Sequence, residues 1–313
     1  MAATRGTQPL RATHPRLSWH ATLTGGQVDA VSALVADARA ADGLEPLSDH
    51  AAVRVRHGAA GTHHLLLDVD GTLVGYAQLS DAPAADAPAS AEFVVRPSAR
   101  RAGYGAELLR ELRDRAPGGF GVWAHGQHPA AERLAATGGF RRTRTLWQVR
   151  RPLNTDLPPV GWPAGVTVRT FRVGADEPAW LRCNARAFAH HPDQGRWTSD
   201  DLQLRESEPW FDPAGFFLAE RSETGLAGFH WTKVHPPTDS EPAIGEVYVI
   251  GVDPDEQGTG LGKALLIRGL KHLQDSGLRE AMLYVDEDNI TAMSLYERLG
   301  FTRLRADAHY LAV

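Results

Sequence analysis

The order of apolar runs and glycine-rich turns is clearest in the C-terminal half of the chain. Residues 247–250 form a short apolar run that continues through Gly251-Val252, and Asp253-Pro254 ends it. The string QGTGLG follows at residues 257–262, and a helical pattern begins at Lys263. This order predicts a strand, a turn, a glycine-rich loop and the start of a helix.

The loop at residues 257–262 predicts an anion site. Glycines let backbone N–H groups point outward at the positive end of a helix dipole, where phosphate groups commonly bind. The spacing does not match the G-x-G-x-x-G of dinucleotide-binding proteins. It does not match a P-loop either, because Ala264 replaces the hydroxyl residue. A tight strand-to-helix connection without a ligand would explain the loop alone equally well.

The residues after this loop narrow the classes of protein to which the loop could belong. Residues 281–285 predict a second strand and residues 286–289 a turn. One face of a helix follows, and Gly300-Phe301 ends it. That face carries Ile290, Met293, Tyr296 and Leu299.

This series, with Q-x-x-G-x-G, Asn289 and Tyr296 in place, resembles the GCN5-related N-acetyltransferase family over most of residues 166–313. In that family the loop holds the pyrophosphate of coenzyme A. The strand before it splays from its neighbour, which leaves backbone groups for the pantetheine arm. The resemblance therefore implies acetyl-CoA as co-substrate.

The N-terminal half shows the same order of elements. Its patterns predict a helix at residues 27–41, a short helical region at 44–60, a hairpin of strands 64–69 and 72–79 around Asp70-Gly71, a strand at 92–97, a helix at 106–115, a strand at 121–124 and a helix at 130–137.

The two halves repeat with a nearly constant offset. Gly103-x-Gly105 precedes Gly260-x-Gly262 by 157 residues, and Gly139-Phe140 precedes Gly300-Phe301 by 161 residues. We therefore infer a tandem duplication. The fold expected is α/β, with an α+β mixed sheet: two tandem acetyltransferase domains, each a central, mostly antiparallel sheet flanked by helices.

The domain bounds expected from this repeat cover the whole chain. They are a flexible leader (1–20), an N-terminal domain (21–150), a proline-rich linker (151–165) and a C-terminal domain (166–313).

Composition excludes several other classes of protein. The net charge is −5, and no basic stripe suggests a nucleic-acid partner. No apolar run approaches the ~20 residues of a membrane span. Cys183 is the single cysteine, which excludes an internal disulfide and fits a reducing compartment. We expect a cytoplasmic monomer without a metal, although the sequence does not determine the oligomeric state.

Acyl transfer to an amine benefits from a base for the amine and an acid for the leaving thiolate, each worth about 10²–10⁴ in rate. Glu246 is the candidate base, and a solvated charge at a strand end is its alternative. Tyr296 is the candidate acid, matching the family's tyrosine, and a core aromatic is its alternative. Asn289 most simply caps the following helix.

The first copy lacks the acid. The positions that correspond to Asn289 and Tyr296 are His128 and Ala135. We therefore place catalysis in the second copy. The first copy would bind coenzyme A without reacting, or shape the substrate cleft.

The resemblance also implies which residues contact the cofactor and the substrate. In the second copy the cofactor residues are Ile250, Gly251, Val252, Gln257, Gly258, Thr259, Gly260, Leu261, Gly262, Lys263, Asn289, Ile290, Thr291, Ala292, Met293 and Ser294. In the first copy they are Phe93, Val94, Val95, Arg101, Ala102, Gly103, Tyr104, Gly105 and Ala106. The substrate residues are Lys233, Glu246 and Tyr284, with Asp49 from the first copy.

Two polar and aromatic strings, at residues 188–198 and 228–236, resemble the tandem branch of the family that acetylates the cysteinyl amine of cysteinyl-glucosaminyl-inositol in mycothiol biosynthesis. This small molecule is the substrate we expect. An aminoglycoside-like amine, a polyamine or a protein N-terminus stays open as the acceptor, and so does a non-catalytic acyl-CoA sensor. The sequence assigns no role to His190, His191, His230 or His235, which lack metal-ligand spacing with a cysteine.

Overall fold

The computed structural model describes residues 15–82, 87–191, 194–223, 225–238 and 241–312. Packing divides the chain into two compact units. The first comprises Met1–Thr143 together with Ala308–Val313, and the second comprises Arg144–Asp307. Within the ranges given above, no helix is long and apolar enough to cross a membrane.

The first unit is a mixed sheet with helices on both faces. Its elements are β1 (Arg16–His20), α1 (Gly25–Asp42), α2 (Asp49–His57), β2 (Thr62–Val69), β3 (Thr72–Ser80), β4 (Ala89–Val95), α3 (Tyr104–Arg115), β5 (Phe120–Ala124), α4 (Pro129–Thr137) and the beginning of β6 (Phe140–Pro152). Strands β1 to β4 pair antiparallel in order, and β4 pairs parallel with β5. Residues 308–311, near the end of the chain, pair antiparallel with β5.

Alternation along the strands of this unit separates two cores. Leu66 and Tyr76 face α1 and α2, whereas Leu65 and Leu67 face α3. Burying each leucine contributes about 1.5–3 kcal/mol. Helix α1 begins with a capping box from Thr24.

The second unit repeats this plan. Its elements are the remainder of β6, then β7 (Val166–Thr170), α5 (Glu177–Ala187), α6 (Ser199–Glu206), β8 (Phe216–Arg221), β9 (Gly225–His235), β10 (Ile244–Val252), α7 (Leu261–Asp275), β11 (Glu280–Asp286), α8 (Ile290–Arg298) and most of β12 (Thr302–Ala312). Strand β11 pairs antiparallel with β6 and parallel with β10, and β10, β9, β8 and β7 follow in antiparallel pairs.

The two faces of the second sheet have different chemistry. Aliphatic side chains of α7 and α8 pack on one face, around Leu266, Leu270 and Leu283. An aromatic cluster with α5 and α6 covers the other face, where Trp180 and Trp231 lie with their ring centroids 6.0 Å apart.

The predicted fold class is confirmed: a mixed sheet flanked by helices occurs twice. The bounds of the units differ from the expected domain ranges because two strands extend beyond them. Residues 146–152 of β6 pair with β11 in the second unit, and residues 308–311 of β12 pair with β5 in the first.

The expected leader and linker also differ from the structure. Arg16–His20 is strand β1, paired with β2, whereas residues 1–14 lie outside the described residues. At the linker, β6 extends to Pro152 and Leu153 is buried, and residues 153–165 contain neither helix nor strand.

Candidate functional site

The glycine-rich loop of the second unit leads directly into α7. Gly258 and Gly260 have φ of +79° and +90°, which non-glycine residues rarely adopt. Gly260 is the N-cap of α7 and has no side chain to cap the helix. The N–H of Leu261 donates to Thr259 Oγ1 at 3.4 Å, which leaves the N–H groups of Gly262 and Lys263 available to an anion.

The strand before this loop separates from its parallel neighbour. Strands β10 and β11 pair only at Gly245 with Ala281 and at Glu246 with Met282. An irregularity between Val247 and Val249 then bends β10 relative to β9. The edge of β10 that faces β11 is consequently left open in the described structure beyond Glu246, as the family resemblance implies.

Arg186 of α5 holds the turn between β10 and the loop. It donates hydrogen bonds to Asp253 at 2.6 and 2.8 Å and to Asp255 at 2.8 Å. The hydrogen bond from Arg186 holds the pKa of Asp253 below its usual range, against the opposing effect of burial. Sequence reasoning missed Arg186, because its partners lie 67 and 69 residues away in the sequence.

Glu246 lies where β10 leaves β11, and only 7% of the residue is exposed. Its Oε2 lies 2.6 Å from Nε2 of His235. Lys233 is its cross-strand neighbour on β9, so the two side chains share a face. The carboxylate is thus largely enclosed rather than a solvated strand-end charge.

Aromatic rings surround the Lys233 ammonium. It lies 4.3 Å from the ring centroid of Trp210 and 5.2 Å from that of Tyr248, within the range of cation–π attraction. Arg205 lies in the same way over Trp197, at 3.9 Å, and donates a 2.8 Å hydrogen bond to the Tyr248 hydroxyl. This face therefore combines aromatic walls with buried cations.

Tyr284 lies on β11, two residues beyond the partner of Glu246. Its hydroxyl accepts a 2.7 Å hydrogen bond from Gln148 of β6, although 41% of the residue is exposed. Burial of the hydroxyl raises its pKa, and the negative charge of Glu246 adds to the effect. The structure thus brings Glu246, Lys233 and Tyr284 onto one face of the sheet.

Tyr296 belongs to α8, on the opposite face. It is 8% exposed and packs edge-on against Phe301, with ring centroids 5.7 Å apart. Its hydroxyl has no hydrogen-bond partner among the residues described, and burial raises its pKa to about 12. Asn289 caps α8 by accepting from the N–H of Ala292 at 3.1 Å, as predicted.

The alternative of a core aromatic therefore describes the Tyr296 ring correctly. Val247 packs in the same cluster as this ring, and Glu246 points to the other side of β10. No hydrogen bond joins Glu246 to Tyr296 within the described ranges.

The first unit has a corresponding loop and strand pair. Gly103 is the N-cap of α3 with φ of +91°, and Arg101, at φ of +69°, occupies the place of Gly258. Strands β4 and β5 pair in parallel only from Ala89 to Ala91. Asp49 lies half-buried in the first turn of α2, where the N-cap is Ser48.

The histidines without an assigned role occupy different environments. His230 is fully buried, its Nδ1 donates to the Leu265 carbonyl at 2.7 Å, and burial lowers its pKa to about 4. His191 lies 3.3 Å from Asp286, and His190 is exposed. Within the described part of the chain, His, Cys, Asp and Glu side chains form no cluster that could hold a metal ion.

Comparison with protein families identifies the class. The model of the acetyltransferase (GNAT) family matches residues 32–140 and again residues 181–301, in agreement with the duplication. The chain belongs to this family, and it is an acyltransferase with two tandem copies of the fold.

Curated relatives are similar over nearly the whole chain. A mycothiol acetyltransferase from Thermobispora bispora is 52% identical over 289 residues, covering 92% of this chain and 96% of that protein. One from Thermomonospora curvata is 55% identical over 289 residues, with coverage of 92% and 94%.

Solved structures share the fold. A GCN5-related N-acetyltransferase from Sphaerobacter thermophilus is 26% identical, with a TM-score of 0.66 and coverage of 94% and 95%. A tandem GNAT protein from the clavulanic acid biosynthesis pathway is 19% identical, with a TM-score of 0.71 and coverage of 96% and 98%, and supports the fold alone.

Proposed function

We propose that this acyltransferase moves the acetyl group of acetyl-CoA to the cysteinyl amine of cysteinyl-glucosaminyl-inositol, which gives mycothiol. The name shared by the relatives, at about half identity over nine-tenths of the chain, supports the substrate. The enclosed Glu246 carboxylate, at the point where β10 leaves β11, is the observation that carries the chemistry.

The second unit fits the co-substrate. Positive φ at Gly258 and Gly260 exposes N–H groups for the diphosphate, and the open edge of β10 offers backbone groups to the pantetheine arm. The residues we assign to this role are 250–252, 257–263 and 289–294. The first unit, with residues 93–95 and 101–106, would bind coenzyme A without turnover.

Proton transfer is assigned to two side chains on opposite faces of the sheet. When bound, acetyl-CoA supplies the electrophilic carbonyl. Glu246 accepts a proton from the attacking amine, whose ordinary pKa of about 7.7–8.0 means that a modest base suffices near neutrality. The His235 contact orients this carboxylate. Tyr296, kept protonated by its burial, donates toward the departing sulfur.

The acceptor is assigned to the face that carries Lys233 and Tyr284. A sugar and an inositol present many hydroxyls, which hydrogen-bonding side chains and aromatic walls recognise. Trp210 and Tyr248 form such walls around the Lys233 ammonium. Asp49 stays a prediction as a further contact. We also propose a cytoplasmic monomer. The single cysteine, Cys183, is a buried free thiol, which fits the reducing cytoplasm.

Loss of thioester absorbance tests the proposal without interference from the thiol of the acceptor. Acetyl-CoA should be consumed rapidly with cysteinyl-glucosaminyl-inositol, and the product should keep a free thiol, as N-acetylation requires. Glucosaminyl-inositol without the cysteinyl group is the matched control, and an aminoglycoside, a polyamine and an N-terminal peptide are competing acceptors. Faster turnover with a competing acceptor would reject the substrate. Coenzyme A binding without turnover on any amine would indicate a sensor.

A further inference from the structure

A cavity of about 320 Å³ lies in the second unit, between the chain that follows β6 and the C-terminal end of α8. Its lining includes Arg151, Thr155, Asp156 and Arg298. None of these residues belongs to the proposed acyl-transfer site. Arg151 pairs with Ala281 on β11, one position away from the partner of Glu246, so its side chain faces the opposite side of the sheet.

Arg151 is the most unusual residue of this lining because it is 4% exposed. Its Nε donates to the Pro152 carbonyl at 3.1 Å and its Nη2 to Thr155 Oγ1 at 2.8 Å. Its guanidinium also lies 6.0 Å from the Phe301 ring centroid. These neighbours are neutral, and no carboxylate within the described ranges pairs with Arg151. A buried charge without a counter-charge is strongly unfavourable.

The effect of burial on Arg151 agrees with this geometry. Removal of its guanidinium from water lowers its pKa, and no nearby acid opposes the change. The guanidinium nevertheless keeps its charge, because arginine side chains are not deprotonated in proteins. Nη1 has no acceptor in the described part of the chain, and Arg151 lines the cavity.

Arg298 supplies a second guanidinium to the same cavity. It is the last residue of α8, is exposed, and has no acidic partner among the described residues. Asp156 also lines the cavity, so these three side chains together carry one positive charge. Guanidinium groups bind carboxylates and phosphates through paired N–H donors, whereas a carboxylate such as Asp156 accepts from a hydroxyl.

We propose that this cavity binds a small anion that carries a carboxylate or phosphate group together with a hydroxyl. The anion neutralises Arg151 and Arg298, and its hydroxyl donates to Asp156. The volume of about 320 Å³ lies at the lower end of the range of about 300–1,000 Å³ for small-molecule sites, which suits a hydroxycarboxylate or a phosphate.

Thermal unfolding of the full chain at constant ionic strength tests this site, with inorganic phosphate and citrate as separate probes. Because binding to the folded state stabilises it, an anion at about ten times its Kd should raise the midpoint by roughly 3–6 °C. Arg298→Gln should lose most of that rise, since the residue is exposed and its replacement leaves the core intact. The probe with the larger rise distinguishes a phosphate site from a carboxylate site.

Arg182→Gln is the matched control, because Arg182 is another exposed arginine of a helix in the same unit and does not line the cavity. It should keep the full rise. Arg151→Met should lose the rise as Arg298→Gln does. A rise as large in Arg298→Gln as in the unaltered chain would place the anion at the glycine-rich loops and overturn the proposal. No rise with either probe would overturn it as well.

Discussion

The two units share one arrangement for a cofactor and differ in the side chains around it. In each, a parallel strand pair separates after two or three residue pairs, and a glycine with φ near +90° starts the next helix. The ion pair that holds the loop is reversed in sign. Arg186 of α5 holds Asp253, whereas Asp37 of α1 pairs with Arg96 in the first unit. The arrangement therefore does not depend on which partner carries which charge.

The groups proposed for proton transfer occur in only one unit. The second parallel pair contains Glu246 in the second unit and Ser90 in the first. Tyr296 likewise corresponds to Ala135. Two residues further along β5, Trp123 occupies the place of Tyr284. On the proposed assignment, the fold and its glycine-led helix start persist in the first unit without the side chains proposed for proton transfer.

The first unit does contain a buried carboxylate, but its surroundings differ. Glu92 accepts hydrogen bonds from the Ser48 N–H at 2.6 Å and the Ser48 hydroxyl at 2.5 Å, and His125 lies 3.2 Å away. Burial raises the pKa of Glu92, and the hydrogen bonds from His125 and Ser48 outweigh it, so the pKa is lowered. Glu92 is thus a structural anion that holds the start of α2.

Replacing Glu246 should have the largest effect. Glu246→Gln removes the proton acceptor while keeping the size of the side chain, so turnover should fall about 10²–10⁴-fold. Acetyl-CoA affinity should not change, and thioester consumption at saturating acetyl-CoA is the measurement. The matched change in the first unit, Ser90→Ala, should leave turnover within about twofold. Equal losses from both changes would contradict a catalytic difference between the units.

The elements that define this comparison could be predicted from the sequence because their signals are local. Asp70 and Gly71 form the hairpin turn with positive φ, and Gly103 and Gly260 start helices where the repeat places them. Such turns depend on residues close in sequence, so a single chain suffices to find them.

Contacts between distant segments could not be predicted in this way. Gln148 contacts Tyr284, 136 residues away in the sequence, because β6 pairs with β11. No local pattern indicates which strand lies next to β11 in the sheet. His235 meets Glu246 through the register of β9 and β10, which the long connection at residues 236–243 does not determine. Strand β1 was missed because five residues between polar segments carry little periodic signal.

Tyr296 should contribute less than Glu246. Tyr296→Phe removes only the hydroxyl and should lower turnover about 10²-fold. The burial that raises the pKa of Tyr296 to about 12 keeps the phenol protonated, so its ionisation should cause no fall in rate between about pH 8 and pH 10. A pH–rate profile of both proteins is the measurement. The same rate in Tyr296→Phe would show that Tyr296 is only a core aromatic.

The pH dependence of the free energy of unfolding should show a feature that the two units share, a fully buried histidine. His64 in the first and His230 in the second are fully buried, and burial lowers the pKa of each to about 4. As the pH falls, both histidines become protonated near pH 6.5 in the unfolded chain. In the folded chain they become protonated only near pH 4. The free energy of unfolding is therefore highest above pH 6.5 and falls as the pH approaches 4, by about 3 kcal/mol for each histidine.

Denaturant unfolding at about pH 7 and about pH 4 measures this loss. His64→Gln and His230→Gln should each reduce it by about 3 kcal/mol, whereas the same change at the exposed His190 should not alter it. A reduction for one buried histidine alone would show that the units differ in how they bury polar groups.

The smallest effect should come from replacing Gly103 or Gly260, the glycines at the two helix starts. These changes test the backbone conformation separately from any side-chain chemistry. A Cβ at Gly103 or Gly260 would meet no atom within 4 Å, so alanine at either position adds strain without a clash. Because φ is near +90° at both, each change should cost about 1–2 kcal/mol of stability.

Only Gly260→Ala should also lower kcat/KM for acetyl-CoA, by roughly tenfold. The N–H groups at the start of α7 would no longer be aligned for the diphosphate. Steady-state kinetics with acetyl-CoA as the varied substrate, beside an unfolding midpoint for each variant, separates the two effects. If Gly103→Ala lowers kcat/KM as far as Gly260→Ala does, the first unit takes part in turnover and catalysis does not belong to the second unit alone.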